Sequence, residues 1–264
     1  MAEPVAQRYG KHAVSVYRIH GDRLFACEVD LMVTGTALET SYTDGDNSLV
    51  VATDSMKNFI HRTALEFDGE ALEDFLAEVA TRFLDRYGHI DAIELEGREV
   101  VFAPRAGAVR QRLYDDVAVA TVAIHRSGTR TEWSGRKGLH LMKQSGSSFA
   151  GFVRDEFTTL PEARDRPLFV HMDVRWINSD PGARAPSEGI RDLIVETFAD
   201  FDSASIQHLV HEMGVRILDR FRGIATVTFE AQNRLWDTAQ ASDSTTVYTD
   251  ARPPYGLIEL TLDR

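Results

Sequence analysis

The chain has 264 residues, 43% of them apolar, enough for the core of one large or two ordinary domains, which excludes a disordered or fibrous polymer. Twenty-nine Lys and Arg against 41 Asp and Glu leave a net charge of −12. Such a field repels phosphate backbones and acidic membranes, so no nucleic-acid partner and no membrane association are expected, and no run approaches the roughly 18 apolar residues a membrane span needs.

Along the chain, the stretch from Met1 to His12 is polar and lacks the apolar centre of a secretion signal. β-Branched, partly alternating runs around Val14-Ser15-Val16-Tyr17 and over Leu24–Val33 read as strands. The second holds Cys27, the single cysteine, which can neither close an intrachain disulfide nor build a thiolate metal site. A reducing compartment, the cytoplasm, is expected from it. A short helix follows at about 55–66. After Asp68, a plausible N-cap, Leu72, Phe75, Leu76, Val79, Phe83 and Leu84 recur at three- and four-residue spacing, the stripe of a long amphipathic helix. Ile93–Phe102 and Val117–Ile124 read as two further strands. Ser127, Gly128, Ser134, Gly135 and Gly138 then cluster as loop formers, and a boundary is placed there between units 1–132 and 133–264. Beyond it a helix at about 189–200 precedes a second long stripe, Ile206, Leu209, Val210, Met213, Ile217 and Leu218. The final Thr261-Leu262-Asp263-Arg264 is no Ser-Lys-Leu-type peroxisomal address.

The two halves repeat each other. Shifted by 134 positions, Thr53–Glu96 lies over Ser187–Glu230 without a gap, with 11 of 44 pairs identical, where average residue usage gives roughly 6%. Each half reads β-β-α-α-β-β, an α+β fold in which hairpins form an antiparallel sheet covered on one face by the helical stripe. Edge pairing between such sheets, closing a barrel between subunits, is the expected way to remove free edges. At this offset Lys11 falls opposite Ser145, Thr53-Asp54 opposite Ser187-Glu188 and Gln207 opposite Glu73.

Other constellations are weaker. His208, His211 and Glu212 have helical metal-ligand spacing but lie off the apolar stripe, so no metal site is assigned to them. Arg105, Arg110 and Arg112 read as a loop or subunit contact. Neither G-x-G-x-x-G nor a P-loop signature occurs.

Five separated motifs carry a resemblance: Tyr9-Gly10-Lys11, Val51-Ala52-Thr53-Asp54-Ser55-Met56-Lys57-Asn58, Phe149 to Leu160 continuing to Asp165-Arg166, Ser203-Ala204-Ser205-Ile206-Gln207, and Asn233. In this order they resemble the urate oxidase (uricase) family. The resemblance implies two tandem tunnelling-fold (T-fold) units assembling as a homotetramer around a tunnel. It also implies cofactor-free oxidation of urate by dioxygen and water to 5-hydroxyisourate and hydrogen peroxide, with no metal or organic cofactor.

The same resemblance distributes the roles. Phe149 is the stacking ring under a flat substrate. Arg166 is the clamp whose planar guanidinium donates twice to one edge, and Gln207 with the Ile206 backbone N–H pairs a neighbouring edge. Lys11 and Thr53 form a catalytic proton relay, Thr53 and the Asp54 backbone N–H close another edge, and Asn233 holds dioxygen and then water over the ring. Lys11, Thr53 and Asp54 come from one subunit and the others from its neighbour. In isolation Phe149 could equally be a core ring, Arg166 a surface cation and Thr53 a helix N-cap. One departure stands out: the family pattern places a histidine two residues after this asparagine, where the chain has Leu235. That keeps open a non-catalytic purine- or pterin-binding protein of the same fold. The zinc chemistry of T-fold cyclohydrolases is disfavoured, because Cys27 lies in a strand without a neighbouring histidine.

Overall fold

The computed structural model describes residues 7–180 and 184–264. Residues 1–6, part of the polar lead-in, lie outside them. The chain divides into two compact units, one ending at Ser134 and the other running from Gly135 to Arg264.

In the first unit Tyr9–His20 (β1) and Arg23–Thr34 (β2) form a hairpin with a tight turn, followed by a short helix Glu39–Thr43 (α1) and the helices Thr53–Glu66 (α2) and Leu72–Arg86 (α3). Ala92–Glu99 (β3), the small ribbon Phe102–Pro104 (β4) with Arg110–Arg112 (β5), and Val117–His125 (β6) complete it. The sheet order is β1-β2-β3-β6, every pair antiparallel. The second unit repeats the plan with Arg130–Lys143 (β7), which begins just before the division, then Leu168–Asn178 (β8), Ser187–Asp200 (α4), Ile206–Arg220 (α5) and Ile224–Asn233 (β9). The hairpin Asp237–Ala241 (β10) with Thr246–Thr249 (β11), and Gly256–Asp263 (β12), close it in the sheet order β7-β8-β9-β12. Each sheet is open, and β1 and β12 each have one neighbour.

Alternation decides the faces. Val29, Leu31 and Val33 of β2 and Val170, Met172 and Val174 of β8 are buried under the helices, while the residues between them face the other way. The stripe of α3, with Phe75, Leu76, Val79 and Phe83 fully buried, joins the first core, and Leu209, Val210, Met213 and Ile217 of α5 join the second. A buried ring such as Phe83 carries about 3–5 kcal/mol by truncation to alanine.

Three local expectations are corrected. Neither Asp68 nor Thr53 caps a helix: the N-cap residues are Ala71 and Ala52, without a side-chain bond, and Asp68 instead meets Arg23 at 3.2 Å. The run read as one strand over Ile93–Phe102 breaks after Glu99, and Phe102 belongs to the ribbon β4. Of the supposed loop formers only Ser127 and Gly128 make a turn, Gly128 at φ 99°. Ser134, Gly135 and Gly138 lie inside β7.

Candidate active site

The first unit holds three of the expected site residues, Lys11, Thr53 and Asp54. Gly10, just before the lysine, is required by close approach: a Cβ there would sit 1.7 Å from the Leu31 carbonyl oxygen. After Lys11 the β1–β2 register shifts, and Ala13 takes the left-handed φ of 56°. Asp30 holds this bulge by accepting from the Ala13 N–H at 2.6 Å. A bulge of this kind re-aims the side chain before it. Among the described residues no hydrogen bond or ion pair holds the half-buried Lys11 amine.

Thr53 and Asp54 open α2, whose first intrahelical bond is donated by Met56 to the Ala52 carbonyl. With no side-chain cap, the N–H groups of the first turn point outward without intrahelical partners, a geometry suited to an anionic edge. The Asp54 carboxylate turns back to its own helix, accepting from Lys57 at 2.6 Å and Asn58 at 3.0 Å. Lys57 first, and Lys11 last among the contributors, hold that carboxyl below its usual range.

The second unit holds the other expected residues, Phe149, Arg166, Ile206, Gln207 and Asn233. The loop joining β7 to β8 folds back on itself: Phe149 and Ala163 exchange backbone bonds at 2.7 and 2.9 Å, and the Arg166 N–H donates to Ser147 O at 2.9 Å. The guanidinium of Arg166 thereby lies 5.7 Å from the Phe149 ring centroid, within cation–π range. Its Nε is buried without a partner, and burial pulls its pKa down. Phe152 lies parallel against Phe149 at 4.8 Å. Ser148 donates to Ser203 O at 2.9 Å, which ties this loop to the segment entering α5. Ile206 and Gln207 are the first two residues of α5, capped by Ser205, whose hydroxyl accepts from the His208 N–H at 3.1 Å. Ile206 is buried while Gln207 is exposed. Asn233 ends β9 opposite Val170 and Gly256, with its Oδ1 buried and unpartnered. Leu235 lies beyond the strand, 48% exposed.

The structure thus gathers Phe149, Arg166 and the start of α5 in one unit, and Lys11, Thr53 and Asp54 belong to the other. His208, His211 and Glu212 do not converge: the His208 ring packs edge-on to Phe201, and Glu212 accepts from Arg216 at 2.7 Å. Among the described residues no group of three His, Cys, Asp or Glu could hold a metal.

One relationship escaped the ungapped repeat. Gly138 in β7 has φ 85° and donates its N–H to Asp173 at 2.8 Å, as Ala13 donates to Asp30. Asp30 pairs with Glu96 and Asp173 with Glu230, which are repeat partners. The counterpart of Lys11 is therefore Arg136, not Ser145, with Gly135 standing for Gly10. Arg136 is 2% exposed and donates to Ser187 Oγ at 3.1 Å, with Glu188 at 3.6 Å. Ser187 and Glu188 are the counterparts of Thr53 and Asp54. Gly-cation pairs 125 residues apart were the available signal.

The uricase family model matches residues 7–104 and 133–259. The chain belongs to the uricase family. The "Uric acid degradation bifunctional protein" of Bacillus sp. TB-90 is 42% identical across 88% of this chain and 52% of its own length. The uricase of Haloferax volcanii is 36% identical over 97% of both chains. The chain spans about half the length of the two bifunctional relatives it matches, 52% and 53%. Among solved structures, a uricase from Bacillus fastidious superposes with a TM-score of 0.90 at 35% identity, over 97% of this chain and 93% of that one. The two-unit α+β architecture is that of the family's T-fold structures.

Proposed function

We propose that this chain oxidises urate with dioxygen and water to 5-hydroxyisourate and hydrogen peroxide without metal or organic cofactor. It works as a homotetramer in which the open sheet edges pair between subunits. Each site combines Lys11, Thr53 and Asp54 of one subunit with Phe149, Arg166, Ile206, Gln207 and Asn233 of its neighbour. The observation that carries the reading is the Arg166–Phe149 pair beside the start of α5. A flat anion stacks on the ring, its carbonyl and nitrogen edge takes the guanidinium fork, and the next edge takes the Gln207 amide and the Ile206 N–H.

The electrons balance within the reactants. Urate loses two electrons to dioxygen, which leaves with two protons as peroxide, and water adds a hydroxyl to the ring carbon. Deprotonated urate gives up its electrons more readily, so the protein's task is moving protons. Lys11 takes one through the Thr53 hydroxyl and a water, and Asn233, its Oδ1 unsatisfied among the described residues, holds dioxygen and then water over the ring. A reducing compartment such as the cytoplasm suits Cys27, whose thiol burial pushes up to about 12.

The test is aerobic incubation of chelator-treated protein with urate. Equal consumption of urate and dioxygen with an equal yield of peroxide is expected. Persistence of urate's near-ultraviolet band, or its loss only after metal is added, overturns the reading. The second reading, a purine- or pterin-binding protein without turnover, is favoured by Leu235 and predicts binding without peroxide.

A further inference from the structure

We infer that Tyr9 is a positioning residue for the Lys11–Thr53 relay: its hydroxyl stitches the strand that carries Lys11 to the segment that carries Thr53. The inference rests on the relay reading above. The Val51 N–H donates to Tyr9 Oη at 2.9 Å, and that hydroxyl donates in turn to Val51 O at 3.2 Å. One phenol oxygen thus both accepts from and donates to a single peptide residue. Lys11 lies two residues after Tyr9, and Thr53 lies two residues after Val51. The stitch is therefore placed symmetrically one step behind the two groups whose separation the proton transfer depends on.

The second unit shows why such a device is needed. There the equivalent strand, with Gly138 at φ 85° bonded to Asp173, is fastened to its helix by the cation itself, because Arg136 donates directly to Ser187 and stands beside Glu188. At the place of Tyr9 the repeat has Ser134, the last residue of the first unit, which donates to Glu73 at 2.5 Å and not to the segment before Ser187. A guanidinium so engaged cannot move a proton. A lysine that must take and return one cannot also serve as the strap, and among the described residues no hydrogen bond or ion pair holds the Lys11 amine. Tyr9 transfers the fastening to a neutral group and leaves the amine free. Its half-buried ring is faced by Tyr42 and Tyr87, and burial, partly offset by the Val51 bond, raises its pKa, so the phenol keeps the proton it donates.

The experiment is a cycle of Tyr9→Phe, Lys11→Met and the double variant in the full-length protein, reading kcat and KM for urate across pH together with the melting temperature. Tyr9→Phe should lower kcat by about 10- to 100-fold, the range for a small misplacement of reacting groups, shift the pH profile of kcat, and leave KM within about two-fold. In the Lys11→Met background the same change should have no further effect on kcat. Multiplicative losses in the double variant, or a Tyr9→Phe profile superimposable on wild type while Lys11→Met is slow, overturn the positioning role and leave the relay standing. A fully active Lys11→Met overturns the relay itself, and the inference with it. A second variant serves if Tyr9→Phe does not fold. 3-Fluorotyrosine placed at position 9 is only modestly more acidic than tyrosine, so it keeps both bonds near neutrality and loses its donor on ionising, and kcat should fall at lower pH than in wild type. Coincident alkaline limbs overturn the inference.

Discussion

The guanidinium carbon of Arg166 lies 5.7 Å from the centre of the Phe149 ring, and the Nε of that guanidinium is buried without a hydrogen-bond partner among the described residues. A buried donor left open in this way costs free energy until water or a ligand completes it. The loop paying for this arrangement is long, and two backbone pairs, Phe149 with Ala163 and Arg166 with Ser147, hold it shut.

Replacing Arg166 by Lys keeps the charge and removes the fork. The change should reduce kcat/KM for urate by about 1.5–3 kcal/mol, roughly 10- to 150-fold, the range for hydrogen bonds to charged groups. Gln207→Ala, which removes both in-plane partners at an exposed helix start, should cost a similar amount. Steady-state kinetics at one pH checks both, and near-wild-type values would show that the clamp is misassigned.

The proposed sharing of Lys11, Thr53 and Asp54 of one subunit with Phe149, Arg166 and Gln207 of its neighbour gives a complementation test. On the proposed homotetramer, Thr53→Ala subunits and Arg166→Ala subunits should each assemble without activity. Co-assembled, they should recover some active sites, because mixed interfaces bring an intact Thr53 half against an intact Arg166 half. Activity that stays at the level of the parents, or an active monomer in sedimentation, would show that the site lies within one chain.

The helices and the strands under them were legible because they pack face to face. Apolar positions from Met56 to Ile93 recur 134 residues later in register, since each must point into its own core. The strands before them were harder to align. β2 ends 19 residues before α2 and β8 ends 9 residues before α4, so one fixed offset cannot serve both regions. That is why Lys11 was set opposite Ser145 when its bulge corresponds to that of Arg136. Gly135 and Gly138 suggested a loop, yet Gly138 supplies the positive φ that a bulge inside a strand needs. The ribbon of β10 and β11 escapes a sequence reading because its strands are short and exposed on both faces, Val247 and Tyr248 included, leaving no buried and exposed alternation to read.

The contrast between Lys11 and Arg136 predicts opposite consequences for stability and activity. Arg136→Met should remove hydrogen bonds of a buried cation and cost about 1–3 kcal/mol, lowering the melting temperature by roughly 2–4 °C per kcal/mol. Lys11→Met breaks no bond in the described chain, so its melting temperature should change by the equivalent of no more than about 0.5 kcal/mol. Its rate should fall by on the order of 10²–10⁴. Calorimetry alongside the kinetics checks the pair, and a large loss of stability on Lys11→Met would mean that the amine is a structural strap after all.

The last prediction concerns two histidines on the sheet face away from the helices. The rings of His140 and His171 stack at 3.7 Å with planes 16° apart, and Phe169 meets His171 edge-on at 5.0 Å. Burial, then the charges of His140 and Arg234, hold the His171 pKa below its ordinary value of 6.5, with Asp250 opposing. A proton therefore binds His171 less readily in the folded chain than in the unfolded one. Where the folded pKa is depressed, stability is fully present above the unfolded value, near pH 6.5, and is lost as pH falls below it through the folded value. The melting temperature should accordingly fall as the pH is lowered from 7 to 5, and His171→Phe, which keeps a flat ring against His140 and removes the proton site, should flatten that slope. Melting curves of the two proteins across this window decide the matter: parallel slopes would assign the acid sensitivity to other groups.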